Sequence, residues 1–147
     1  MRVFSNARFA LDLPPGHRFP MPKYELLRNR VEAECPDLQV TEALPATEGE
    51  LALAHTPAYI DAVLQGTLSA AAQREIGFPW SPRMATRSLR SVGATIAAAR
   101  AALSADGGGV AVHLAGAATL TGCTAWLWCS TTKVVAPAED MIDALTR

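Results

Sequence analysis

Apolar positions along this chain switch between two spacings. Arg2 to Ser5 is a short β-prone run and reads as a first strand. From Pro22 the spacing lengthens. Tyr24, Leu27 and Val31 recur at i, i+3 and i+7, with Arg28, Arg30 and Glu32 on other faces, which predicts a helix. Cys35-Pro36 ends it, and Leu38, Val40 and Thr41 suggest a second strand. Thr47-Glu48-Gly49-Glu50 has the spacing of a capping box, so a short helix is expected through Leu51 to His55. Thr56-Pro57 repeats the start signal. Tyr59, Ile60, Val63 and Leu64 then form a one-sided stripe that Gly66 stops.

The longest helical pattern opens at Ser81-Pro82. Leu89, Val92, Ile96, Ala99 and Leu103 share one face, and Arg83, Arg87 and Arg90 share another, which reads as a solvated face. Gly107 to Gly109 breaks this helix, and Gly109 to Gly116 reads as a buried strand. Two proline-rich stretches, Leu13 to Pro20 and Gly77 to Pro82, are loops, because proline fixes φ and removes an amide donor. Helices alternating with apolar strands predict an α/β fold with a parallel sheet, without a repeat or a second domain. After Gly116 the periodicity is lost, save for one short amphipathic turn through Met141, Ile142 and Leu145.

Composition narrows the partners. In 147 residues, half are hydrophobic, 18% are charged and the net charge is −1. That balance gives no bulk attraction to nucleic acid or to an anionic membrane. No apolar run reaches the roughly 20 residues that span a bilayer, and the N-terminus lacks a secretory apolar region, so a cytoplasmic chain is expected. Cys35, Cys123 and Cys129 have neither zinc-knuckle nor disulfide-framework spacing and read as free thiols.

Several segments jointly resemble the bacterial branch of the histone deacetylase and acetoin-utilisation family. They are Pro14-Pro15-Gly16-His17-Arg18-Phe19-Pro20-Met21-Pro22-Lys23-Tyr24; Glu50 to Ile60, around His55-Thr56-Pro57; Ile76-Gly77-Phe78-Pro79-Trp80-Ser81-Pro82 with Arg87 to Gly93; and Leu114-Ala115-Gly116. Their order and approximate spacing follow the family over residues 1–116. The resemblance implies part of an arginase/deacetylase-type three-layer fold around a parallel sheet. It also implies zinc-assisted hydrolysis of an acetyl-amide, on acetyl-lysine or a small acetylated amine. In the family, Leu-Ala-Gly leads into a histidine pair, followed by aspartate and histidine zinc ligands and a tyrosine.

Here Gly116 is followed by Ala117-Ala118-Thr119-Leu120-Thr121, and no Asp-x-His pair occurs. An open zinc site needs about three protein ligands. The chain is therefore expected to bind no zinc, to have no catalytic residue, and to be a truncated, inactive relative. Residues 117–147 are expected to be a divergent tail, read out of frame relative to the family. If Trp128-Cys129-Ser130-Thr131-Thr132 is encoded TGG-TGT-TCA-ACG-ACN, the neighbouring frame spells the Val-Phe-Asn-Asp that the family carries after its histidines.

His17, Phe78 and Trp80 are the candidate rim of a substrate channel. Two aromatics on a proline-stiffened loop can wall an apolar channel, or they can pack on the base of their own loop. His17 can instead order its own turn. His55 reads as a packing residue at a helix junction, and His113 as a core histidine. The alternative to a silent hydrolase relative is a non-catalytic interaction module that binds a partner, of unknown identity, through an unpaired sheet edge or apolar faces.

Overall fold

The computed structural model describes residues 1–104 and 109–114, together with the backbone of strands at 117–121 and 124–128. Strand β1 (Arg2–Phe4) is central. It is flanked by β2 (Val40–Thr41) and β3 (Ala111–His113) in the order β2-β1-β3, and both pairings are parallel. Val3 lies opposite Val40 and Val112, and Phe4 opposite Thr41 and His113. A parallel pair needs a long crossover. Helix α1 (Lys23–Glu34) lies between β1 and β2. Between β2 and β3 lie α2 (Glu48–Ala52), α3 (Pro57–Gln65), α4 (Ala70–Ile76) and α5 (Pro82–Leu103). The expected α/β class with a parallel sheet is thus present. Strands β4 (Ala117–Thr121) and β5 (Thr124–Trp128) pair antiparallel where no periodicity was read. The amphipathic turn at Met141 to Leu145 lies outside the described residues.

Helix starts follow local chemistry closely. The Thr47 hydroxyl accepts the Glu50 amide at 3.2 Å while the Glu50 carboxylate accepts the Thr47 amide at 2.8 Å, completing the capping box. That contact first, then the Arg100 guanidinium at 2.8 Å, holds the Glu50 carboxyl below its ordinary range. Thr56 and Ser81 cap α3 and α5, each with proline following. Helix α4 carries its own cap, Ser69 accepting the Ala72 amide at 3.2 Å, and the sequence reading passed over it. Its Ala-Ala-Ala-Gln core has no apolar stripe to detect. Ser81→Ala is expected to cost about 1 kcal/mol. The check is a lower urea midpoint at an unchanged denaturant slope.

Packing departs from the aliphatic stripes in two helices. On α5 the deepest face is small: Gly93, Ala94, Ala98, Ala99, Ala101 and Ala102 are buried, while Leu103 is 48% exposed. Ala94 and Ala98 join Phe4, Ala43 and Ala111 in one core cluster, because small side chains let the helix axis approach the sheet. On α1 only Tyr24 is buried; Leu27 is 42% exposed. A second cluster gathers Ala7, Leu11, Met21, Tyr24 and Met84, with Phe19, Phe78 and Trp80 packed against it.

Candidate functional site

Two features lie on this scaffold: an aromatic cleft and a buried polar cluster. The cleft is about 330 Å³ and is lined by His17, Arg18, Phe19, Pro20, Ile76, Gly77 and Phe78. Both proline-rich loops therefore meet, although some 60 residues separate them. The His17 ring stacks on Phe78 with centroids 5.7 Å apart and planes at 17°. Phe19 meets Phe78 edge-on at 5.1 Å. His17 Nδ1 accepts the Phe19 amide at 3.1 Å, fixing the ring against its own loop. The Gln73 side-chain amide donates to the Phe78 carbonyl at 2.6 Å, and Gly77, at φ 77°, turns the chain from α4 into the cleft wall. Lys23 Nζ sits 4.3 Å from the centre of the Phe19 ring, so cations stand beside the aromatics.

Trp80 does not line this cleft. Its indole N–H donates to the Val63 carbonyl at 2.8 Å, and its ring lies so close to Gly66 that a Cβ there would meet it at 2.5 Å. Trp80 pins the end of α3 to the start of α5. The Gly-Phe-Pro-Trp loop thus splits its aromatics, Phe78 to the cleft and Trp80 to its own base.

The polar cluster sits at the carboxyl ends of β1 and β3. Arg87, expected on a solvated face, is 9% exposed, and this corrects the sequence reading. Its guanidinium donates to the carbonyls of Phe9 at 3.0 Å and Asn6 at 3.3 Å and lies 4.7 Å from the centre of the Tyr24 ring. Carbonyl acceptors and a π face replace its hydration, and burial lowers its pKa. Arg90 is also engaged, with Glu42 at 2.9 Å and the Ala43 carbonyl at 3.0 Å; Arg83 stays half exposed. Rings run from cleft to cluster: His17 on Phe78, Phe78 on Phe19, Phe19 near Tyr24 at 5.9 Å, and Tyr24 under Arg87.

His113 is 2% exposed. Burial first, and then the nearby Arg87 charge, push its pKa down to about 4, so the ring is neutral at pH 7. One ring nitrogen is engaged by its neighbour. Thr95 Oγ1 lies 3.1 Å from the Ser91 carbonyl and 3.1 Å from His113 Nδ1, and its hydroxyl bridges the two. Nε2 meets no hydrogen-bond partner among the described residues. Asn6 is also 2% exposed, and among the described residues neither its amide nitrogen nor its oxygen has a partner. It heads the 3-10 turn Ala7–Phe9 without capping it, and Ser5 Oγ takes the Ala7 amide instead. The core-histidine expectation for His113 holds for one nitrogen only. Asn6 gave no sequence signal, since its unpaired state depends on what surrounds it.

The His55 ring lies tilted against Tyr59 with centroids 5.4 Å apart, as a helix-junction residue. Among the described residues no group of three or more His, Cys, Asp or Glu side chains could hold a metal ion. The described residues bring together no set of three such ligands, so they do not fit the zinc that the resemblance implies. Among the same residues no helix is long and apolar enough to cross a membrane.

No family model matches the chain. An uncharacterized protein of Picosynechococcus sp. is 39% identical to it over 103 residues, which is 69% of this chain and 34% of that protein. The chain therefore spans about a third of the length of the curated relative it matches.

Proposed function

We propose that the chain is a non-catalytic relative of the histone-deacetylase-like amidohydrolases, an N-terminal part of their arginase/deacetylase-type fold, whose aromatic cleft binds an acyl-lysine side chain. The observation that carries this reading is the His17–Phe78 stack walling a cleft of about 330 Å³ against Phe19. That volume falls at the lower end for small-molecule sites and suits one extended acylated side chain rather than a drug-sized ligand. Apolar walls favour the neutral acyl-amide over a free lysine ammonium, which would lose hydration there and face Lys23 and Arg18. His17 and Phe78 wall the cleft in this reading; Trp80 braces it.

The test is binding of an acetyl-lysine peptide, followed by nuclear magnetic resonance titration, with the unmodified peptide as reference. Acetylated peptide is expected to bind more tightly, and Phe78→Ala to weaken it about tenfold, or about 1.4 kcal/mol. Equal affinity for both peptides sinks the reading. No zinc-dependent turnover of the acetylated peptide is expected, because the described residues supply no ligand set to make metal-bound hydroxide. Release of acetate that depends on added zinc would overturn the non-catalytic part of it.

A further inference from the structure

We infer that the aromatic cleft prefers an acyl-lysine whose acyl group ends in a carboxylate, of the succinyl type, over acetyl-lysine. The inference rests on the acyl-lysine reading above and narrows it. Charge is the first observation. Arg18 lines the cleft, and Lys23 Nζ stands 4.3 Å from the centre of the Phe19 ring that forms one wall. Among the described residues no aspartate or glutamate lines it. Both cations are also uncommitted. Arg28, Arg30 and Arg90 each hold a carboxylate at 2.9 Å, and Arg100 holds one at 2.8 Å. Among the described residues no carboxylate forms an ion pair with Arg18 or Lys23.

The second observation is the order of chemistry across the cleft. Phe19, Ile76 and Phe78 are half-buried, whereas Arg18 is exposed at the rim. A succinyl-lysine has the matching order: an apolar stem, an amide, a short methylene link and a terminal carboxylate. The methylenes gain from leaving water against the apolar walls. The carboxylate meets a guanidinium where water still reaches both, so the large penalty of a buried ion pair does not arise. An acetyl group leaves both cations unmet. A long neutral acyl chain fills the walls but does the same. A phosphate or sulfate answers the cations and leaves the walls unfilled. An exposed ion pair of this kind strengthens binding by up to about fivefold, and that sets the expected margin.

Nuclear magnetic resonance titrations compare peptides that differ at a single lysine. It is unmodified, acetylated, succinylated, or succinylated with the terminal carboxylate replaced by a carboxamide. The succinylated peptide is expected to bind about fivefold more tightly than the acetylated and carboxamide peptides. Salt at about 1 M should remove most of that margin, because the screening length falls to about 3 Å. Both comparisons use the unsubstituted chain and do not depend on any variant's folding. Arg18→Gln combined with Lys23→Gln should bring the ratio of succinyl to acetyl affinity close to one. Equal affinity for the succinylated and carboxamide peptides overturns the inference, and so does a ratio that survives the double substitution. Free succinate binding as tightly as the succinylated peptide assigns the cleft to small carboxylates and also overturns it. If the acetylated peptide still outbinds the unmodified one, the acyl-lysine reading stands while this inference falls. If no acylated peptide outbinds the unmodified one, both fall.

Discussion

Gly93→Ala is expected to destabilise the chain by about 1–3 kcal/mol, even though alanine is the better helix former by about 1 kcal/mol. Gly93 lies inside α5 where the helix crosses the Leu44–Ala46 segment, and the Ala46 amide donates to the Leu89 carbonyl at 3.0 Å across that contact. A Cβ on Gly93 would collide with the Leu44 carbonyl oxygen and lie 2.7 Å from the Ala46 nitrogen and 2.9 Å from the Pro45 carbonyl carbon. All three are backbone atoms, which cannot swing aside as a flexible side chain would. Relief requires α5 to back away, opening the cluster built on Ala94 and Ala98. Gly49→Ala is the control. It also lies in a helix, but its nearest neighbour would be Thr47 Oγ1 at 3.9 Å, so it should be neutral or stabilising by up to about 1 kcal/mol. Urea midpoints of the two variants decide the matter. If Gly93→Ala matches Gly49→Ala, the close crossing does not exist.

Stability is expected to fall by an amount on the order of 3 kcal/mol between pH 6.5 and pH 4 through His113 alone. The folded ring titrates at about 4, below the ordinary 6.5 of an unfolded histidine. Above pH 6.5 the ring is neutral in both states and its contribution is complete. Between 6.5 and 4 the unfolded chain takes up a proton that the folded chain refuses, so stability drops as pH falls; below 4 both are charged and the loss levels off. The groups facing the ring are Arg87, whose charge opposes protonation, and the neutral Thr95 hydroxyl. His113→Gln should flatten this part of the pH profile, even if it lowers stability at pH 7 by disturbing the Thr95 contact. Carboxylates also titrate here, so the quantity to read is the difference between the two profiles. Parallel profiles from pH 7 to 4 would show that His113 is not buried neutral.

Some of this was legible in the sequence because it is local. Thr47 with Glu50, Thr56-Pro57 and Ser81-Pro82 start helices through contacts within one turn, and Gly66 ends α3 at φ 72° through its own backbone freedom. The α/β class followed from helices alternating with apolar strands, and the parallel pairing from the crossovers between them. His17 was legible both as a residue that orders its turn and as a rim candidate, and it does the first while lining the cleft. What tertiary structure alone decided is which neighbours arrive from far along the chain. Arg87 looked solvated by its helical neighbours, yet the carbonyls of Asn6 and Phe9 and the Tyr24 ring, more than 60 residues away, give it a buried berth. Phe78 and Trp80 are equivalent by composition; the positions of Gly66 and His17 sent one to the loop base and the other to the cleft. The aliphatic stripe of α5 named a face, but the sheet and the Leu44–Ala46 segment sit closest to glycine and alanine, because close approach of backbones selects small side chains and not hydrophobic ones as such. Periodicity measures polarity along one element; burial and hydrogen-bond satisfaction are properties of the surfaces that meet it.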